Sequence, residues 1–159
     1  MSDFIKRPHD TYFKKVFSKK ENAILFFKNF LPEKVSKLLD FDTLTPYSTS
    51  FVTKNLKTYF SDLTYTVNLK GYQEKAYIYL LLEHKSYHDE LVAFQLLKYM
   101  IRLYDEHLRT HKKIKKLPIV IPIVFYHGER ELKINNKFSS LFVIKYDIFK
   151  EFIPDFPLF

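Results

Sequence analysis

Asp62, Glu83 and Lys85 are charged residues set into stretches that otherwise read as β-strand. Asp62 lies in SDLTYTVNLK, and Glu83-His84-Lys85 closes the apolar run IYLLL of KAYIYLLLEHKS. An Asp, a Glu and a Lys gathered at one point form a set that can cleave a phosphodiester. The carboxylates would hold Mg²⁺, a cation that takes oxygen ligands and keeps several waters. The backbone carbonyl of His84 could supply a further ligand. A metal held there polarises the scissile phosphate and lowers the pKa of an attacking water. Lys85 would orient that water or stabilise charge in the transition state. A role as general base would need its pKa depressed by burial, and the neighbouring anions oppose that.

Bringing these residues together requires a hairpin. Residues 59–69 alternate, with Tyr59, Ser61, Leu63, Tyr65, Val67 and Leu69 on one face and Phe60, Asp62, Thr64, Thr66 and Asn68 on the other. Gly71-Tyr72 fits a two-residue turn with Gly at the first central position. The second strand, from about Glu74 to Lys85, is apolar on both faces, as a buried central strand is. That turn pairs Lys70 with Gln73 and sets Asp62 opposite Leu81. Glu83 and Lys85 share the face of Leu81 by the period of two. Asp62 and Glu83 are then diagonal neighbours, roughly 7–8 Å apart at the backbone.

By itself Asp…Glu-x-Lys is a loose pattern, and on an exposed strand Glu-x-Lys is simply a solvated pair. Two features favour chemistry. A carboxylate at the end of a central apolar strand is costly unless paired or coordinated. The helix expected over residues 89–110 also carries Gln95 and Tyr99 one turn apart, with Arg102 continuing that edge. An amide, a phenol and a guanidinium suit a phosphate backbone.

Elsewhere, Ser18-Lys-Lys-Glu21 matches a capping box ahead of AILFF and predicts a helix over about Lys19–Leu31. A shorter helical stretch opened near Asp10 precedes it, and Pro32 suits the first turn of a short helix in PEKVSKLLD. A strand is expected near Leu44–Phe51. LPIVIPIVFYHG, residues 117–128, reads as a third strong strand whose prolines suggest an edge. The order of helices, hairpin, long helix and strand defines a single α/β domain over residues 1–159. FIPDFPLF at the end is unusually apolar, which suggests a fragment of a longer protein or a tail packed on a partner.

Composition narrows the classes. The chain has no cysteine, which excludes disulfides, thiolate zinc sites and cysteine nucleophiles and fits a cytoplasmic location. Its N-terminus lacks a signal-peptide core, and no apolar run approaches the roughly 18 residues of a membrane span. Two glycines leave no phosphate-binding loop, so a nucleotide cofactor is not expected. A formal charge of +8 favours polyanions, nucleic acid first, although a Lys-, Ile-, Phe- and Tyr-rich composition also follows from an AT-rich genome.

Five segments, HDTYFKKVFS, SDLTYTV, LLLEHKS, AFQLLKYM and IPIVFYHGE, occur in order from about His9 to Glu129. Together they resemble the recombination-promoting nuclease/putative transposase family of the PD-(D/E)XK superfamily. The resemblance implies a restriction-endonuclease-like core, with a central mixed sheet flanked by helices, and Mg²⁺-dependent endonucleolytic cleavage of DNA, with Mn²⁺ an alternative metal. It assigns metal binding to Asp62 and Glu83, the lysine role to Lys85 and the helix pair to Gln95 and Tyr99. His9 and Asp10 match the opening motif, as substrate or metal contacts or as a helix cap. Ser61 stands where the pattern often has Pro, and Lys85 where relatives often have Gln, nearer the superfamily signature. The family usually continues beyond this length, so the chain is expected to be C-terminally truncated.

DNA is the expected partner, and a homodimer is compatible with this class. His9, Asp10, Lys14, Arg102, Lys112 and Lys113 are the candidate nucleic-acid contacts, the last two in the basic run RTHKKIKK, which also reads as a solvated loop. The pairs His84/His88 and His107/His111 have the i, i+4 spacing of a helical zinc site, but the first straddles a strand end and a loop, the second has no evident third ligand, and both read as surface histidines. Two other functions stay open: a non-catalytic DNA-binding module, or fragment of a degenerate nuclease, and a protein-interaction domain using its aromatic C-terminal segment.

Overall fold

The computed structural model describes residues 8–48, 61–83, 91–114, 116–126, 137–143 and 146–159. Three helices come first: α1 (Pro8–Phe17), α2 (Lys20–Phe30) and the single turn α3 (Glu33–Ser36). Strands β1 (Leu39–Pro46), β2 (Ser61–Leu69) and β3 (Lys75–Glu83) follow, then the long helix α4 (Val92–Thr110) and strand β4 (Ile119–Tyr126). Two short 3₁₀ turns, Phe138–Leu141 and Asp147–Phe152, lie in the C-terminal segment. The sheet order is β1-β2-β3-β4; β1, β2 and β3 are antiparallel, and β4 runs parallel to β3 after the crossover through α4.

The apolar content of β3 on both faces places it inside the sheet, and each face has its own covering layer. Ala76, Ile78 and Leu80 face α1 and α2, where Phe13, Phe17, Ala23 and Phe27 complete one cluster with Tyr65, Val67, Ile121 and Ile123. Tyr77, Tyr79 and Leu81 face α4 and meet Val92, Leu96, Tyr99, Met100 and Leu103. The first layer is largely aromatic: the Phe13 ring lies 4.6 Å from Phe17 and 5.8 Å from Phe125. Tyr65, buried among them, donates its hydroxyl to the carbonyl of Phe17 at 2.6 Å, tying β2 to the end of α1.

Four local expectations need correction. Ser18 forms no capping box; its hydroxyl turns back to the carbonyl of Lys15 at 2.8 Å, and the N-cap of α2 is Lys19, without a side-chain cap. Pro32 is the N-cap of α3 and lies just outside its first turn. The hairpin turn centres on Lys70 and Gly71, because Tyr72 N–H bonds the carbonyl of Leu69 at 3.2 Å. Gly71 has φ +79°, the left-handed value suited to the second central position of such a turn. The first strand begins at Leu39, earlier than expected, because its pairing with β2 shifts between Asp40 and Thr45 and breaks the alternation. There Thr43 Oγ1 accepts from Asn68 N–H at 2.8 Å and donates to the carbonyl of Asp40 at 2.6 Å.

The apolar tail docks on the chain's own core. Leu158 is buried in the α4-side cluster, Phe159 packs on the α1/α2-side cluster, and the carbonyl of Phe159 accepts from Val124 N–H of β4 at 2.8 Å. Phe138 N–H bonds the carbonyl of Phe156 at 3.2 Å, so residues 137–143 and 156–159 settle together. Leu158→Ala is expected to cost about 2–4 kcal/mol in denaturant unfolding. Burial pushes the Tyr65 phenol up to about 12. The unfolded chain releases that proton near pH ~10, so this contribution to stability is complete below ~10 and is lost as pH rises toward ~12. Unfolding measured across that range should show the alkaline loss reduced in Tyr65→Phe, with Tyr77 responsible for part of the remainder, since its phenol is also pushed up to about 12.

Candidate active site

Asp62 pairs with Leu81 across the β2–β3 ladder, as the sequence register requires, and Glu83 ends β3 two residues further on. The register therefore sets Asp62 and Glu83 on the sheet face covered by α4, as diagonal neighbours at one end of the two strands. For both residues the description extends to the backbone. His84 and Lys85 lie outside the described residues.

Helix α4 runs antiparallel to β3, which its contacts make plain. Val92 and Leu96 join Leu81 in one cluster. Further along the helix, Tyr99 stacks on Tyr79 with ring centroids 3.6 Å apart and planes 8° from parallel. Near its C-terminus His107 Nδ1 meets the hydroxyl of Tyr77 at 3.1 Å. The N-terminal part of α4 therefore lies at the Asp62–Glu83 end of the sheet. Gln95, half-buried, belongs to that end.

Tyr99 is held from two sides. Its ring lies on Tyr79, and its hydroxyl is 2.9 Å from Thr64 Oγ1, inside the core. Thr64 is two residues from Asp62 on the same face of β2 and pairs with Tyr79. Tyr99 thus locks α4 to the strand that carries Asp62. Arg102, expected to continue the same edge, is exposed. The sequence put Thr64 on the polar face beside Asp62, but a contact spanning 35 residues leaves no local signal.

The remaining candidates fall into separate places. His9 and Asp10 sit in the first turns of α1, in the opposite layer. Phe17 meets Tyr65 in mid-strand, and Phe13 meets Phe125 nearer the Glu83 end, so the N-terminal turn of α1 points toward that same end of the sheet. Lys14 is exposed on α1. Lys112 and Lys113, exposed just past α4, lie at its far end, roughly 25 Å along the helix from Gln95 at about 1.5 Å per residue.

That far end has a polar cluster of its own. The Tyr77 phenol is raised by burial, then by neighbouring Tyr47 and Glu106, whereas burial and adjacent His111 lower the imidazole of His107. Both shifts favour the neutral forms of the phenol and the imidazole, which meet at 3.1 Å with the direction of the bond set by the His107 tautomer. His111 stacks on His107 with centroids 4.5 Å apart, and its Nδ1 lies 3.1 Å from the His107 carbonyl. Buried Glu106 pairs with Arg109 at 3.2 Å. Among the described residues there is no group of three or more metal-capable side chains.

A mixed four-stranded sheet between helical layers, with two acids at adjacent strand ends beneath a helix N-terminus, fits the restriction-endonuclease-like core. The chain belongs to the family described as "Putative transposase, YhgA-like", which matches residues 7–159. It is 37% identical over 123 residues to recombination-promoting nuclease RpnD of Escherichia coli O157:H7, covering 77% of this chain and 46% of that protein. It is 36% identical over 122 residues to RpnC of Escherichia coli strain K12, covering 77% of this chain and 39% of RpnC. A match of the same identity and length is to RpnE of that strain, named an inactive recombination-promoting nuclease-like protein, of which 40% is covered. The matched stretch is thus less than half of each of these relatives. No solved structure matches the chain. No described helix is long and apolar enough to cross a membrane.

The Thr64–Tyr99 contact is open to a double-mutant cycle. Thr64→Val and Tyr99→Phe should each cost about 1 kcal/mol or more in denaturant unfolding, and the pair together clearly less than the sum, because both changes remove the same buried contact.

Proposed function

We propose that the chain is a Mg²⁺-dependent DNA endonuclease of the recombination-promoting nuclease type. The observation that carries this reading is the pairing of Asp62 with Leu81, which brings Asp62 and Glu83 to one end and one face of the sheet. Two carboxylates and the His84 carbonyl form an oxygen donor set suited to Mg²⁺. When bound, the metal supplies positive charge to the scissile phosphate and acidifies a water.

The protein's residues do the rest. Asp62 and Glu83 fix the position of the cation. Lys85, two residues after Glu83, holds the attacking water or meets charge developing on the phosphate. Gln95 contacts the phosphate backbone, and Tyr99 aligns the helix that carries Gln95. The formal charge of +8 favours a polyanionic substrate. Exposed Arg102, Lys112 and Lys113 extend the contact with DNA along α4, and His9, Asp10 and Lys14 do so from α1.

A second reading, a DNA-binding relative without catalysis, is favoured by the equal likeness to a protein named inactive. One assay separates the two. Supercoiled and linear duplex DNA are incubated with Mg²⁺, Mn²⁺ or EDTA and with wild type, Asp62→Ala, Glu83→Ala and Lys85→Ala, each checked for folding. The nuclease predicts metal-dependent nicking reduced by about 10²-fold or more in each variant. Salt-sensitive DNA binding without cleavage supports the second reading. Cleavage that survives all three substitutions rules out this site.

A further inference from the structure

The face of α4 turned away from the sheet carries an ordered apolar band. Phe94, Ile101 and Leu108 are exposed at 46%, 49% and 40%. They recur at seven-residue intervals and so line one stripe of the helix. Leu97 and Tyr104, partly buried against the core, continue the band inward. Single exposed hydrophobic residues are ordinary on a protein surface. Three in heptad register along a 19-residue helix, with a half-buried flank, make a packing seam.

The seam is also complementary to itself. Phe94 lies seven residues before Ile101 and Leu108 seven after it. Lys98 and Asp105, both exposed, stand three before and four after on the same face. Consider a second α4 laid antiparallel across a two-fold axis at Ile101. Ile101 then meets its own copy, and each Phe94 meets the other copy's Leu108. Each Lys98 falls within one residue's rise of the other copy's Asp105, so the ion pair forms twice. A parallel arrangement in the same register would set Lys98 against Lys98 and Asp105 against Asp105. A polyanion is a poorer fit, since Asp105 sits in the middle of the stripe.

We propose that this face of α4 is the contact surface of a two-fold dimer of this chain, with antiparallel α4 helices packed about Ile101 and closed by Lys98–Asp105 pairs. The test is the mass in solution of the full chain without nucleic acid, by light scattering and sedimentation over a range of concentrations. The expected result is a concentration-dependent species of about twice 19.3 kDa. Ile101→Asp, an exposed position whose fold is checked by circular dichroism, should raise the dissociation constant by about tenfold or more. Lys98→Asp and Asp105→Lys should each weaken the dimer severalfold, and the two together should restore it toward wild type. A monomer at every concentration overturns the proposal, as does a dimer indifferent to Ile101→Asp. Single charge reversals whose combination restores nothing overturn the antiparallel arrangement.

Discussion

The structure depends on a strand that has no solvent face. Ala76, Ile78 and Leu80 on one side of β3 and Tyr77, Tyr79 and Leu81 on the other are all buried. A strand of that kind must be paired along both edges and covered above and below. β2 and β4 supply the edges, α1 and α2 cover one face, and α4 covers the other. The same constraint makes the end of β3 special. There the chain changes from Leu82 to Glu83, whose backbone is still paired with Tyr126 of β4.

The two layers differ in chemistry. The α1/α2 side is an aromatic pack in which Phe13, Phe17, Phe26, Phe27 and Phe125 touch edge to face or in tilted stacks, with Tyr65 supplying a polar tie. The α4 side is laced with hydroxyls and an imidazole, from Thr64 and Tyr99 to Tyr77 and His107. Apolar packing alone would let a long helix slide or roll over a sheet. Directional contacts at two levels, one beside Asp62 and one near the far end of the helix, hold α4 in a single register. A helix that carries Gln95 toward the strand ends needs that definition.

Sequence reading succeeded where one period dominated. Alternation along residues 61–69 and the single glycine of the turn led to Asp62 opposite Leu81, and that pairing is observed. The turn itself was placed one residue late, without effect on the register. Alternation failed in β1, where burial of Leu39, Phe41 and Leu44 steps by two and then by three because a bulge intervenes. Ser18 carried the composition of a cap, yet the end of α1 claimed its hydroxyl. The contact of Tyr99 with Thr64 had no local signal either, because it is set by packing between distant segments. The seam on α4 is hidden in the sequence because Lys98 and Asp105 interrupt it, and only the observed exposure separates it from the core face.

The sheet's outer strands share a property that bears on the protein's life at high concentration. An open strand edge is a template on which another chain can add, the first step toward aggregation. Pro122 offers no amide hydrogen on β4, and Val124 has already given its own to Phe159. On the opposite margin the bulge in β1 replaces regular backbone pairing with the hydroxyl of Thr43. A chain so rich in aromatic and β-branched residues would otherwise be prone to polymerise through its sheet. These irregular margins interrupt the ladder on which such growth would begin.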